Sequence, residues 1–223
     1  MSGTLPEGGW HWLHFIGRLI SRFIVRLPFR VKVHGKDRIP RTGPLVLVAN
    51  HSAMLDGPLL IGMLPRASVF LIKQEMFRGP LGWFLRRIGQ IGVRRGEPDR
   101  QPLLTAVRLL KNGGVVGVFP EGTRGSGELD NVQNGAAWLA RTSGARVLPV
   151  AVRGSRRPDD GSRRLLRRID VLFGEPITPP SGKGRAGLTE ATETVRNELV
   201  ELIAELDGLV ADRNQDDVRG NEA

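Results

Sequence analysis

Three short runs, Leu45–Ala49, Val115–Phe119 and Val147–Val152, constrain the fold more than any other feature of this chain. Each is apolar at nearly every position, as a strand buried on both faces is, and such strands belong to parallel sheets. Parallel neighbours must be joined by crossovers. Segments of helical spacing supply them at Leu55–Leu64, Pro102–Leu110, Ala136–Arg141 and Thr189–Ala211, with a shorter helix over Pro80–Ile88. Further strands are expected at Arg30–His34, Ser68–Ile72, Gln90–Val93 and Ile169–Phe173. The pattern predicts a single-domain α/β fold whose largely parallel central sheet is flanked by helices. A length of 223 residues suits one such core. Pro149 inside a strand run points to an edge or a bulge. The Arg-rich stretch Gly154–Arg168 has no apolar period and is expected to be a mobile, solvated loop.

Residues 1–28 form a separate N-terminal segment, 29–211 the main domain and 212–223 a loose polar tail. Within the first segment, Trp10–Leu27 reads as a two-faced helix. His14, Arg18, Arg22 and Arg26 recur every fourth residue and share one stripe. Trp12, Leu13, Ile16, Leu19, Ile20, Phe23, Ile24 and Leu27 cover most of the other side, while Phe15 and Val25 fall near the polar stripe. Two placements satisfy this pattern: in the plane of a lipid interface, or packed on the domain as an ordinary amphipathic helix. The aromatics exceed what a small core stripe needs and favour the interface, with Trp10, Trp12, Arg18, Arg22, Phe23 and Arg26 as membrane contacts. The arginines interrupt the stretch too often for a bilayer span, and no signal peptide is recognisable. The expected location is the cytoplasmic face of the cell membrane, peripheral or monotopic.

Lys plus Arg number 33 against 23 Asp plus Glu, a net charge of +10 that favours anionic membranes, phosphorylated small molecules or nucleic acid. No nucleic-acid reader motif is visible, and the chain has no Tyr. The absence of cysteine excludes disulfides, thiolate metal sites and a Cys nucleophile.

Chemistry concentrates just beyond the strand ends. Asn50-His51-Ser52-Ala53-Met54-Leu55-Asp56 follows the first apolar run. Five residues apart on one helix, His51 and Asp56 would diverge by about 140°. They meet only if His51 lies in the turn and Asp56 in the first helical turn. A carboxylate on one imidazole nitrogen then orients the ring and raises the basicity of the other nitrogen, which can deprotonate a substrate hydroxyl. Taken alone, this spacing also fits a capped helix with a structural His. Phe119-Pro120-Glu121-Gly122-Thr123-Arg124 follows another strand, where glycine frees backbone N–H groups and Arg124 offers a fork suited to phosphate. Gly89-Gln90-Ile91-Gly92-Val93-Arg94-Arg95 closes a third. In a parallel sheet, His51, Arg95 and Arg124 share one edge, where ligands gather.

Asn-His-x4-Asp, then Gly-x5-Arg, then Phe-Pro-Glu-Gly-Thr-Arg, then Val-Leu-Pro-Val, in that order between Asn50 and Val152, resembles the glycerolipid acyltransferases of the 1-acylglycerol-3-phosphate type. The resemblance implies transfer of an acyl group from acyl-CoA or acyl-carrier protein to the hydroxyl of lysophosphatidic acid, giving phosphatidic acid, with no metal or other cofactor and no covalent acyl-enzyme. It makes His51 the general base and Asp56 its partner. It assigns Arg95, Glu121, Gly122, Thr123 and Arg124 to acceptor binding, and Pro149 to the acyl donor or its pocket. Two departures bear on the acceptor: Ala53 stands where many members have Ser, and Arg94 where Asp is frequent. The added charge suits a larger anionic headgroup. Rival expectations are another lysophospholipid or glycolipid as acceptor, a non-catalytic basic membrane binder, and a hydrolase in which the pair activates water. Trp83 and Phe84 are candidates for lining an acyl groove or for simple core packing.

Overall fold

The computed structural model describes residues 5–94, 100–119, 129–156 and 167–219. In chain order the elements are α1 (His11–Arg26), β1 (Phe29–His34), β2 (Leu45–Ala49), α2 (Asp56–Met63), β3 (Ser68–Lys73), α3 (Gly79–Arg87), β4 (Ile91–Val93), α4 (Gln101–Lys111), β5 (Val115–Val118), α5 (Leu129–Ser143), β6 (Arg146–Arg153), β7 (Arg167–Phe173) and α6 (Gly184–Arg219). The strands form one seven-stranded sheet in the order β1-β7-β6-β2-β5-β3-β4. Every pairing is parallel except β6 with β7, so the predicted α/β class holds with one reversal.

Alternation along the strands divides the apolar side chains between two layers. Leu45, Leu47, Ala49, Phe70, Leu148, Val150, Val152, Ile169, Val171 and Phe173 pack under α2, with Val25 of α1 beneath the same layer. Val46, Val48, Val116, Val118 and Val147 pack under α4, α5 and α6 on the other face. The central strands β2 and β5 are buried along their whole length, as their unbroken apolar runs require.

Pro149 lies in the interior strand β6 and not at an edge. On its β7 side, Val147 exchanges hydrogen bonds with Ile177, and the next pairing, Val150 with Phe173, begins β7 proper. Pro149 occupies the gap between them. Its carbonyl accepts Gly174 N–H at 3.0 Å, and its missing N–H falls where the ladder passes from one partner to the other.

The tail expected from Asp212 is not loose at its start: α6 continues as helix to Arg219. Arg213 binds both oxygens of the buried Asp170 at 2.6 Å, and His34 lies 3.4 Å from the same carboxylate. This joins the helix end to β7 and β1.

The first helix turns the first half of its polar stripe, His14 and Arg18, inward, while Arg22 and Arg26 stay exposed. His14 is 3% exposed and Val25 0%, whereas Trp12 is 59%, Phe15 62% and Phe23 58%. His14 Nδ1 donates to the Ile88 carbonyl at 2.7 Å, and an Arg18 guanidinium N–H donates to the Leu64 carbonyl. At the crossing with α2, a Cβ on Gly62 would stand 2.9 Å from the Arg22 backbone nitrogen, so the two helices touch through backbone. Small residues permit the same close approach between helices inside membranes. Val25, which broke the polar stripe in sequence, is the one fully buried apolar side chain of α1 among the described residues. No helix among the described residues is long and apolar enough to cross a membrane.

Candidate active site

The turn after β2 is shaped by a single carboxylate. Asp56, the first residue of α2, is fully buried and reaches back into the turn. Its Oδ2 accepts the backbone N–H groups of Ser52 at 2.7 Å and Ala53 at 2.8 Å, and lies 3.1 Å from His51 Nδ1. The loop thus folds around the side chain that the helix start presents, and His51 is drawn onto it from the turn. This is the only arrangement in which a five-residue spacing brings the two groups together.

Burial, the largest influence on the Asp56 carboxyl, pushes its pKa up. The His51 ring, the nearby Ser155 hydroxyl and the backbone N–H groups of Ala53 and Ser52 more than offset this and hold it below the usual carboxylate range. Asp56 is therefore an anion at neutral pH. An anionic acceptor on Nδ1 puts the proton there and leaves Nε2 as the basic nitrogen. The His51 side chain is 36% exposed, so the ring is accessible while its partner is not. Phe119 stacks beneath the ring at 4.5 Å and itself stacks on the buried Phe70 at 5.5 Å. A base fixed in tautomer and plane at a sheet edge can take a proton from a hydroxyl and return it to a leaving group.

Residues 30–153 match the family described as Acyltransferase, more than half of the chain. The chain belongs to the acyltransferase family. A 1-acyl-sn-glycerol-3-phosphate acyltransferase of Bacillus subtilis is 31% identical over 84% of this chain and 96% of its own length. A lyso-ornithine lipid O-acyltransferase of Pseudomonas aeruginosa is 37% identical over 79% of this chain and 75% of its own. The crystal structure of the 1-acyl-sn-glycerophosphate acyltransferase PlsC from Thermotoga maritima superposes with a TM-score of 0.66 at 26% identity. The match covers 88% of this chain and 78% of that one. The protein is an O-acyltransferase of this PlsC-like group, acting in phospholipid and lipid biosynthesis.

The acyltransferase brings His51 and Asp56 together as the spacing predicts. Arg95, Glu121, Gly122, Thr123 and Arg124 lie outside the described residues. The strands that lead to them are described: β5 and β4 run parallel to β2 in the same sheet, so their carboxyl ends share its edge with His51. Pro149 goes elsewhere. It points to the α6 side of the sheet, where it and Leu202 both border Gly174, on the face opposite α2. The membrane candidates also separate. Trp12, Arg22, Phe23 and Arg26 are exposed and Trp10 is partly so at 37%, but Arg18 is half-buried in the seam against the domain. Trp83 is not a core residue. It is 50% exposed and meets Trp10 edge-on at 6.1 Å, while Trp10 stacks on Trp12 at 5.7 Å.

Two residues that organise the site carried no role in the sequence reading. Asn50 is 2% exposed, and its amide grips both backbone groups of Val152, accepting from N–H at 2.7 Å and donating to C=O at 3.0 Å. That clamp ties the turn before His51 to the end of β6. An amide directly before the motif His was the available signal. Ser155, in the stretch expected to be mobile and solvated, is 6% exposed and lies against Asp56. Its signal was position alone, two residues past a strand end on the site edge; residues 157–166 of that stretch lie outside the described residues.

Proposed function

We propose that the protein transfers an acyl group from an acyl thioester, on CoA or a carrier protein, to the free hydroxyl of 1-acylglycerol-3-phosphate. The observation that carries this reading is the His51–Asp56 pair, with its carboxylate buried and its imidazole exposed at the sheet edge. His51 Nε2 removes the acceptor's hydroxyl proton as that oxygen attacks the thioester carbonyl, and the proton passes to the departing thiolate as the intermediate collapses. Asp56 stabilises the imidazolium between those steps. Arg95 and Arg124 are assigned to the acceptor phosphate, because both follow strands that end on the same edge.

The lipid surface enters through α1. Trp12, Phe15, Ile16, Leu19, Ile20, Phe23 and Leu27 stand 39% to 76% exposed, with Trp83 and Leu81 of α3 exposed as well. Inserting the exposed parts of those seven side chains is worth about 5–10 kcal/mol before ordering costs. That is ample for peripheral attachment and supports a seat on the membrane surface; in this reading the surface is the cytosolic leaflet, from which acceptor and thioester are both reached.

The likeness to the lyso-ornithine lipid enzyme supports a second acceptor. An acceptor panel separates the two. Mixed detergent micelles of lysophosphatidic acid or lyso-ornithine lipid are offered with palmitoyl-CoA and palmitoyl-carrier protein, and the acylated product is measured by mass spectrometry. Phosphatidic acid formation at a higher kcat/KM than ornithine-lipid formation supports the first reading; the reverse order replaces it with the second.

A further inference from the structure

Asp56 uses one oxygen for everything. Oδ2 takes Ser52 N–H, Ala53 N–H and the His51 ring, while Oδ1 is buried and has no hydrogen-bond partner. A buried carboxylate oxygen left in this state costs about 1–3 kcal/mol. The groups around it are short of partners in one matching place: Ser155 Oγ is also buried and also without a hydrogen bond. One atom is an anionic acceptor and the other a hydroxyl donor.

The backbone holds the two segments in step. Asn50 binds both polar groups of Val152, so the residue before His51 and the residue three before Ser155 are fixed to each other. The chain then turns at Gly154, whose φ is 82° and whose absent Cβ would lie 2.2 Å from the Arg168 carbonyl oxygen, and Ser155 beyond it is buried. The depression of the Asp56 carboxyl by the Ser155 hydroxyl agrees with this placement.

We infer that Ser155 is a positioning residue for the catalytic pair: its hydroxyl, after a small side-chain rotation, donates to Asp56 Oδ1 and keeps Oδ2 aimed at His51. With both oxygens held, the carboxylate cannot swing about its terminal torsion, which is soft for Asp. His51 is then locked with its proton on Nδ1, which leaves Nε2 as the nitrogen that takes the acceptor's proton. The inference rests on the reading of His51 as the base, and not on which lysolipid is the acceptor.

The test uses the full chain with Ser155→Ala, Ser155→Thr and, for assignment, His51→Gln. Histidine labelled with 15N reports the His51 tautomer directly and needs no substrate. Wild type is expected to show a single Nδ1–H tautomer at neutral pH. Ser155→Ala is expected to show exchange between tautomers, and Ser155→Thr, which keeps the hydroxyl, to restore the single form. In the acyl-transfer assay, Ser155→Ala is expected to lower kcat on the order of tenfold with KM unchanged, and to move the acid limb of the pH–rate profile to higher pH, because an Asp56 relieved of one donor pulls harder on the imidazole proton. A folded Ser155→Ala with the wild-type tautomer signal and an unmoved acid limb overturns the inference. If no variant turns over any acceptor, the proposed reaction fails, while the tautomer signal still decides the role of Ser155.

Discussion

Helices α1 and α6 lie on opposite faces of the same sheet and solve opposite problems. α6 buries Val195, Leu199, Leu202 and Leu206 and shows most of its charges to water, as a surface helix should, with Arg213 near its end turned in to Asp170. α1 buries a histidine, half-buries an arginine and crosses α2 through backbone, and it shows Trp12, Phe15, Ile16, Leu19, Ile20 and Phe23 outward. Both have helical periodicity. Periodicity says that a helix has two faces; it does not say which one the protein keeps. What decides α1 is the supply of acceptors: the Ile88 and Leu64 carbonyls give its polar stripe somewhere to bind. An inward polar seam is costly unless satisfied; these two bonds offset part of that cost, while His14 Nε2 and Arg18 Nε are buried without a hydrogen bond.

The contrast is broken most sharply by exchanging what each face should tolerate. Leu206→Ala, fully buried on the α6 side, is expected to cost about 2–5 kcal/mol, a Tm fall on the order of 10 °C by calorimetry. The triple change Trp12→Ser, Phe15→Ser and Phe23→Ser removes more apolar surface, yet it is expected to leave Tm within roughly 2 °C. Its effect should appear in sedimentation with anionic vesicles, as binding weaker by at least about tenfold. Equal thermal losses in the two variants would mean that α1 is packed like α6 and the comparison is wrong.

Arg18→Ala tests the seam itself. Losing a charged donor and leaving the Leu64 carbonyl short of a partner is expected to cost about 1–3 kcal/mol, seen as faster amide exchange across α1 while α6 stays protected. The smallest effect is in pH. Burial lowers the His14 pKa; the Ile88 carbonyl raises it, and Arg18 and His11 lower it further. The folded state therefore resists protonating His14. Its contribution to stability is full above the unfolded value of about 6.5 and declines as pH falls from there through the folded value. Thermal melts should show that decline in wild type, and His14→Gln should flatten it.

Much of the layout is legible in sequence, for identifiable reasons. β2 matches its apolar run at both ends because a strand buried on two faces has no polar residue to blur its limits. His51 and Asp56 are legible because their spacing admits one geometry. Strand direction is not: nothing in Ile169–Phe173 distinguishes the antiparallel pairing of β7 with β6 from a parallel one. Helix α5 begins at Leu129, seven residues before Ala136, because the earlier turns lack the apolar repeat that marks the later ones. Ser155 was hidden for a related reason. A lone hydroxyl between arginines reads as surface, and only the fold shows that Asn50 draws its segment down onto Asp56. For Pro149 the sequence left an edge or a bulge open; the strand is interior, and between Val147–Ile177 and Val150–Phe173 the partner segment carries one residue more than β6, as at a bulge.

The central claim is that His51, held by Asp56, moves the proton in acyl transfer. It is tested most directly by thiol release from palmitoyl-CoA or palmitoyl-carrier protein on liposomes, with and without lysophosphatidic acid, for wild type and for a folded His51→Ala. The account predicts release that depends on the acceptor and falls about 10²–10⁴-fold in the variant. Release that ignores the acceptor, or a His51→Ala enzyme as fast as wild type, would contradict it.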